Sequence, residues 1–305
     1  MDIDTLFTKS IAGDADAIAK LEMIADQLSN DDDRTILHIA CMTEKTEQVQ
    51  FILREFANKN LLVMVDKHKQ TALHLAAARG YDQVVEILID AARRTLPSST
   101  TDDQHNPVED FLRQANYMGN TALHQAVSSN NVSTVERLVK ADPNDRHIQN
   151  LGAPSLIGPE GTTALHAAIS QLHEAKKIDK DIVKVLMDSA KRSFCLKDAP
   201  DYNFEALFIR TDQQHRTLLS LAVLKNHPDV VKLILKEDPA YERLTGSKKS
   251  DLKSLIFSIA SREGYKEIVK ILCEKYEDGK TDHAGHVLLI EAIKGGEKEF
   301  VSGED

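Results

Sequence analysis

The sequence has little cysteine and no long apolar run. Its cysteines, Cys41, Cys195 and Cys273, are odd in number and widely spaced, which is typical of a protein without disulfides in a reducing compartment. The longest purely aliphatic run, residues 61–65, is far shorter than the roughly 20 residues that cross a bilayer. No apolar run follows Met1 as a signal peptide would require. We therefore expect a cytoplasmic segment that makes no membrane contact of its own.

The chain also has fewer basic than acidic side chains. The chain has 38 lysines and arginines against 48 aspartates and glutamates, which gives a formal net charge of -10. Proteins that bind nucleic acids or anionic membranes in general need a basic surface, because phosphate contacts supply most of that affinity. The composition thus argues against both classes of partner.

Strings that carry catalysis or phosphate binding are missing as well. The sequence contains no Gly-x-Gly-x-x-Gly, Walker or Gly-x-Ser-x-Gly string. Cys195 has cationic neighbours that would lower a thiol pKa, and His283 and His286 are candidates for a weak metal site. We predict no catalytic residue, no cofactor and no metal. An enzyme whose insertions build a pocket is the alternative, and loss of activity on mutating Cys195 or His283 would support it.

What the sequence does contain is a repeated pair of short helices. Residues 71–90 show the pattern best: Thr71 is suited to cap a first helix, and Gly80 permits the left-handed conformation that ends it. Apolar residues then recur at helical spacing from Val84 to Ile89. One such pair cannot bury both of its faces, so it is expected to stack on copies of itself.

The copies lie along most of the chain. The string Thr-Ala-Leu-His recurs from Thr121 and from Thr163, and degraded forms begin at Thr35 and Thr217. Aligned on these caps, the units are predicted to start near residues 4, 35, 71, 121, 163, 217, 255 and 287, with the last one incomplete.

These strings resemble the ankyrin-repeat family, whose signature is Thr-Pro-Leu-His-x-Ala followed by Val-Val-x-Leu-Leu. The resemblance implies an all-α solenoid of about eight stacked helix pairs, forming a single domain over residues 1–305. It also implies that the four signature histidines, one in each of the units from Thr35 to Thr163, are structural and bond to the capping threonine.

The spacing of the units predicts three long insertions, at residues 93–115, 142–160 and 192–210. Residues 108–114 within the first insertion suggest a short amphipathic helix. The insertions either enlarge the binding face or are tolerated surface decoration, and the sequence leaves both interpretations open. Gly119 suits a finger turn with positive φ, whereas Lys69 stands at the equivalent position, so its finger is expected to be less regular.

The family resemblance implies a protein-interaction scaffold that binds through its concave face, its fingers or its insertions. Carried onto this chain by position, the candidate protein-binding residues are Lys67, His68, Gln70, Arg79, Tyr117, Met118, Asn120, Ser128, Ser129, Gln213, Arg216 and Lys225. Tyrosine, methionine and arginine are enriched at the centres of protein interfaces. The identity of the partner and the oligomeric state do not follow from the sequence.

Two further strings narrow the resemblance. The strings at residues 139–143 and 235–241 resemble strings in plant ankyrin proteins of the accelerated-cell-death type. In that family a cytosolic ankyrin domain precedes membrane helices, and members act in immunity, cell death and stress signalling. A bacterial ankyrin effector is the alternative source. Because the second helix of the last unit is cut short, we expect the chain to be a fragment of a longer, membrane-tethered protein.

Overall fold

The computed structural model describes most of the chain, with gaps. The described residues are 3–24, 32–96, 107–142, 163–170, 180–194, 208, 211–212, 214, 216–237 and 256–276. Within these ranges the regular secondary structure is entirely helical, and no strand is formed. The predicted fold class, an all-α solenoid, is confirmed. The predicted unit near residue 287, Cys195 and His283 lie outside the described residues.

Most of the described helices come in short consecutive pairs. In chain order they are α1 Ile3–Ile11, α2 Ala15–Ile24, α3 Ile36–Ala40, α4 Thr46–Glu55, α5 Ala72–Arg79, α6 Asp82–Thr95, α7 Pro107–Arg113, α8 Ala122–Ser128, α9 Val132–Ala141, α10 Ala164–Ser170, α11 Lys180–Phe194, α12 Leu218–Leu224, α13 Pro228–Glu237 and α14 Lys266–Tyr276. A 3₁₀ turn follows α4 at Ala57–Lys59. A helical stretch over 256–262 precedes α14.

In five units the first helix begins after a capping threonine and buries a leucine and an alanine at fixed positions. The leucine two residues after the cap is at most 4% exposed in five units: Leu37, Leu73, Leu123, Leu165 and Leu219. Five residues after the cap stands an alanine that is at most 1% exposed: Ala40, Ala76, Ala126, Ala168 and Ala222. The leucine supplies apolar area to the core, and the small alanine lets neighbouring helices approach closely.

Within the earlier and within the later part of the chain, neighbouring pairs pack first helix on first helix and second helix on second helix. The first helices α3, α5 and α8 pack in sequence, and the second helices α4, α6 and α9 form a parallel row behind them. In the later part of the chain, α10 packs on α12, and α11, α13 and α14 follow one another. By contacts the chain divides into two compact units, Met1–Glu160 and Gly161–Asp305.

The first insertion contains the helix expected from residues 108–114. This helix, α7, packs against α6, and its Phe111 and Leu112 are buried. The guanidinium of Arg113 forms two hydrogen bonds to the carboxylate of Asp142, at 2.8 and 3.1 Å, and an ion pair of 3.0 Å with Glu109. The described part of this insertion is therefore attached firmly to the second helices of its neighbours.

Candidate protein-binding surface

Three of the finger hairpins that precede first helices are shaped by an aspartate or asparagine five residues before the capping threonine, in the units of Thr71, Thr121 and Thr217. Asp66 Oδ1 accepts hydrogen bonds from the backbone N–H groups of His68 and Gln70, at 2.8 and 2.9 Å. Asn116 Oδ1 accepts from the corresponding two amides at 2.9 and 3.0 Å, and Asp212 Oδ1 does so at 2.9 and 2.9 Å. A short side chain acting on its own backbone is the mechanism of Asx turns.

The prediction that the Lys69 finger is less regular than the Gly119 finger was wrong. Lys69 takes φ 56°, close to the φ 72° of Gly119. The hydrogen bonds that close both hairpins also match: the first residue of each finger donates to the last at 2.9 Å and accepts from the turn residue at 2.9 Å. The side chain of Asp66 or Asn116 stabilises the turn enough to hold a lysine in the left-handed region, where it costs about 1–2 kcal/mol.

Successive fingers are joined by single backbone hydrogen bonds. The N–H of Lys67 donates to the carbonyl of Asp32, and the N–H of Tyr117 donates to the carbonyl of His68, both at 3.0 Å. In each case the donor lies four residues before its capping threonine, and the acceptor lies three residues before the threonine of the previous unit. The fingers thus form a regular ladder with one donor and one acceptor per unit.

Two of the signature histidines, His38 and His74, connect their first helices to the finger of the following unit. His38 Nδ1 lies 2.8 Å from the Thr35 hydroxyl, and His74 Nδ1 lies 2.9 Å from that of Thr71. On the other side of the ring, His38 Nε2 lies 3.0 Å from the carbonyl oxygen of Gln70. The predicted structural role, with the histidine bonded to its capping threonine, is confirmed.

The carbonyl partners determine the tautomer of these rings. Since a carbonyl only accepts, His38 Nε2 and His74 Nε2 carry the proton and donate to Gln70 and Asn120, the second at 3.2 Å. Nδ1 then accepts from the backbone N–H of the threonine, at 3.2 Å in both units. Burial lowers the pKa of His74 to about 4 and also lowers the pKa of His38, so both imidazoles are neutral at physiological pH.

The tip of the Asn116–Asn120 finger carries two large apolar side chains in solvent. Tyr117 is 67% exposed and Met118 is 71% exposed. The Lys69 ammonium lies 4.9 Å from the centre of the Tyr117 ring, within cation–π range. We call Lys69, Tyr117 and Met118 the fingertip surface. No local sequence pattern predicts that Lys69 belongs to this surface, because the ring contact depends on how adjacent fingers stack.

The other candidates at the fingers serve the fingers themselves. Lys67 is paired with Asp32 at 2.5 Å, and Arg216 is paired with Asp212 at 2.6 Å. Although burial opposes it, hydrogen bonds from Arg216 and Gln214 hold the pKa of the Asp212 carboxyl below its ordinary value. Gln70 and Asn120 are half-buried and accept from the histidines through their carbonyls, and Gln213 lies outside the described residues.

The concave candidates lie at the ends of the first helices. Arg79 is exposed at the end of α5, and Ser128 is exposed at the end of α8 with its hydroxyl donating to the His124 carbonyl at 3.0 Å. The Ser129 hydroxyl lies 2.8 Å from the carbonyl oxygen of Ala126 and therefore helps to end the helix. Lys225 caps α12 through its backbone and is half-buried. Of these four residues, Arg79 offers an exposed charged side chain.

Other kinds of site have no basis in the described ranges. Among those residues, no three His, Cys, Asp or Glu side chains converge as a metal site would require. The Cys41 thiol is fully buried, and burial raises its pKa well above the ordinary value, so it is a packing group rather than a nucleophile. No helix in the part of the chain that the structure describes is long and apolar enough to cross a membrane.

Known families and proteins share this architecture. Residues 9–97 match the family of ankyrin repeats in three copies, and residues 118–148 match the single ankyrin repeat. The chain is an ankyrin-repeat protein. The ankyrin repeat domain of Bcl-3 superimposes with a TM-score of 0.57 at 20% identity, covering 87% of this chain and 100% of that domain. At that identity the likeness concerns the fold alone.

Two curated relatives share sequence with this ankyrin-repeat chain. The nuclear factor NF-kappa-B p105 subunit of Gallus gallus is 31% identical over 146 residues, which are 47% of this chain and 12% of that protein. Protein ACCELERATED CELL DEATH 6 of Arabidopsis thaliana is 26% identical over 238 residues, which are 78% of this chain and 32% of that protein. The chain thus spans at most about a third of either relative. Its ankyrin repeats are of the protein-interaction class.

Proposed function

We propose that this chain is a protein-binding scaffold whose partner contacts the fingertip surface and the adjacent concave helix ends between residues 32 and 142. The exposure of Tyr117 and Met118 carries the proposal. Both side chains bury large apolar area when covered, and tyrosine does so with few rotatable bonds to order. Arg79 adds an exposed cation from the end of α5.

The rigidity of the fingers favours binding by this surface. In the Asn116–Asn120 finger, two backbone amides donate to the Asn116 side chain, and the Tyr117 N–H donates to the neighbouring finger. Side chains on such a pre-ordered loop lose little further conformational entropy when a partner binds. Gln70 and Asn120 hold the fingers against the histidines and do not contact the partner directly.

The test is capture of partners from the native host with the purified chain, followed by substitution of the fingertip. Replacing Tyr117 and Met118 with serine is expected to reduce capture at least about tenfold. Met23→Ser is the matched control, because Met23 is 69% exposed but lies on α2, away from the fingers. If Met118→Ser and Met23→Ser reduce partner capture equally, the proposal is wrong. It is also wrong if partner capture is fully retained when Arg79→Glu is combined with the two serine substitutions.

At the level of biology, we propose that the chain is the cytosolic ankyrin part of a plant membrane protein acting in immunity, cell death or stress signalling. The match to ACCELERATED CELL DEATH 6 supports this, since it extends over 78% of this chain. The transcript of the parent gene tests the proposal. It is expected to encode membrane-spanning helices after the ankyrin repeats, and a stop codon directly after Asp305 would refute the fragment and the tether together.

A further inference from the structure

Among the described residues, the last finger that the ladder joins is the one that carries Met118. Within the ladder, the carbonyls of Asp32 and His68 each accept from the finger of the next unit. Met118 holds the equivalent position, three residues before Thr121. Among the described residues, its carbonyl accepts no hydrogen bond. The Asn116–Asn120 finger therefore presents an acceptor in the position where the two preceding fingers are paired.

The sequence shows that the same spacing cannot supply another donor. The residue four positions before Thr163 is Pro159, whereas the two donors of the ladder, Lys67 and Tyr117, each have a backbone N–H. Proline has no backbone N–H and so cannot donate a hydrogen bond. Since Met118 is 71% exposed, its carbonyl can receive a donor from another molecule.

The side chains around this carbonyl favour one kind of donor. Tyr117 and Met118 offer apolar area next to it, while Lys69 supplies an exposed cation on the neighbouring finger. No carboxylate of the described chain is paired with Lys69, whose ammonium is directed at the Tyr117 ring. A partner with an acidic side chain beside an apolar one matches this combination.

We propose that the partner inserts an extended segment at this end of the ladder, with acidic and apolar side chains close together. A backbone N–H of the segment donates to the Met118 carbonyl, as strand addition does at an open sheet edge. An apolar side chain covers Met118 and Tyr117, and a carboxylate pairs with Lys69. This inference rests on the proposed function and adds the conformation and chemistry of the partner.

The experiment selects a displayed library of random short peptides against the whole chain. We expect enriched peptides to combine Asp or Glu with apolar residues and to lose at least about tenfold in affinity for the Tyr117→Ser, Met118→Ser variant, but not for Met23→Ser. The best peptide is then synthesised with each backbone amide methylated in turn. Methylation at one interior position should reduce affinity about tenfold, because that amide donates to Met118.

The outcomes separate this inference from the proposed function. If selected peptides need the fingertip surface but tolerate methylation at every amide, strand pairing is wrong and the fingertip still binds. If no peptide is enriched, or if the enriched ones ignore Tyr117 and Met118, the extended-segment proposal fails. If light scattering shows a dimer that the serine variant dissociates, the occupant is a second copy of this chain, which also overturns the proposal.

Discussion

At the scale of single residues, a few positions carry most of the local architecture. The capping threonine and the histidine three residues later satisfy each other's polar atoms and those of the helix end. An aspartate or asparagine five residues before the threonine does the same for the finger. Because buried polar groups are costly when unpaired, these residues determine where each helix begins and how each finger turns.

Replacing Leu123 with alanine should lower the free energy of unfolding by about 2–5 kcal/mol, since the side chain is 4% exposed and its loss leaves a cavity. Urea denaturation followed by circular dichroism measures this change. Leu224→Ala is the control, because Leu224 is 37% exposed and should cost much less. Equal costs at both positions would show that Leu123 is not packed as described.

Asn116→Ala should lower stability by about 1–3 kcal/mol, because two backbone amides of the finger lose their acceptor. Asn116→Asp keeps the accepting oxygen and should cost far less, as Asp66 and Asp212 serve the same role in their fingers. Thermal unfolding of the three proteins measures the difference. A large loss from the aspartate variant would contradict the Asx explanation of the finger geometry.

At the scale of elements, the insertion helix α7 is attached by a buried charge cluster. Arg113 and Glu109 have side chains 10% and 3% exposed, and Asp142 lies at the end of α9. Removing the guanidinium would leave two buried carboxylates without their main partner, which is much more costly than losing an exposed pair. The described half of this insertion is therefore part of the stack rather than loose decoration.

Arg113→Ala should lower the free energy of unfolding by about 3–5 kcal/mol. Arg137→Ala is a matched control, because Arg137 also contacts two carboxylates, Asp82 and Glu86, but at the surface. Exposed ion pairs contribute about 0–1 kcal/mol, so the control should cost little. Chemical denaturation in parallel compares them, and similar losses would mean that burial does not govern the Arg113 cluster.

At the scale of the whole molecule, the two neutral histidines His38 and His74 couple stability to pH. The folded pKa of His74 is about 4, against an ordinary value of 6.5, so the unfolded chain binds the proton more tightly. Stability is then complete above pH 6.5 and is lost as the pH falls towards 4. For His74 the difference amounts to about 3 kcal/mol, and His38 acts in the same direction.

Chemical denaturation at pH values from 7 to 4 tests this linkage against a His74→Gln variant. The variant should start less stable but lose less stability over the interval, because it lacks the group that the unfolded chain protonates first. Subtracting the two profiles removes the carboxylates that titrate in both proteins. Parallel profiles would show that His74 does not contribute to the acid sensitivity.

Much of this protein followed from the sequence because ankyrin repeats are local. Leu73, Ala76 and the pair Val84–Val85 lie within one unit, and their helical spacing identifies the buried face before any packing is known. The short helix in the first insertion was predicted for the same reason. Likewise, the capping threonine and its histidine are three residues apart, so their contact is a property of one helical turn.

Only the tertiary structure decided what depends on contacts between units. Three such contacts join residues at least 29 positions apart: the Lys69–Tyr117 ring contact, the Arg113–Asp142 hydrogen bonds and the backbone ladder between fingers. No local pattern encodes such pairs, because they arise from how one finger or helix stacks on the next. The sequence determined the repeating unit, and the stacking of units determined which exposed side chains form one surface.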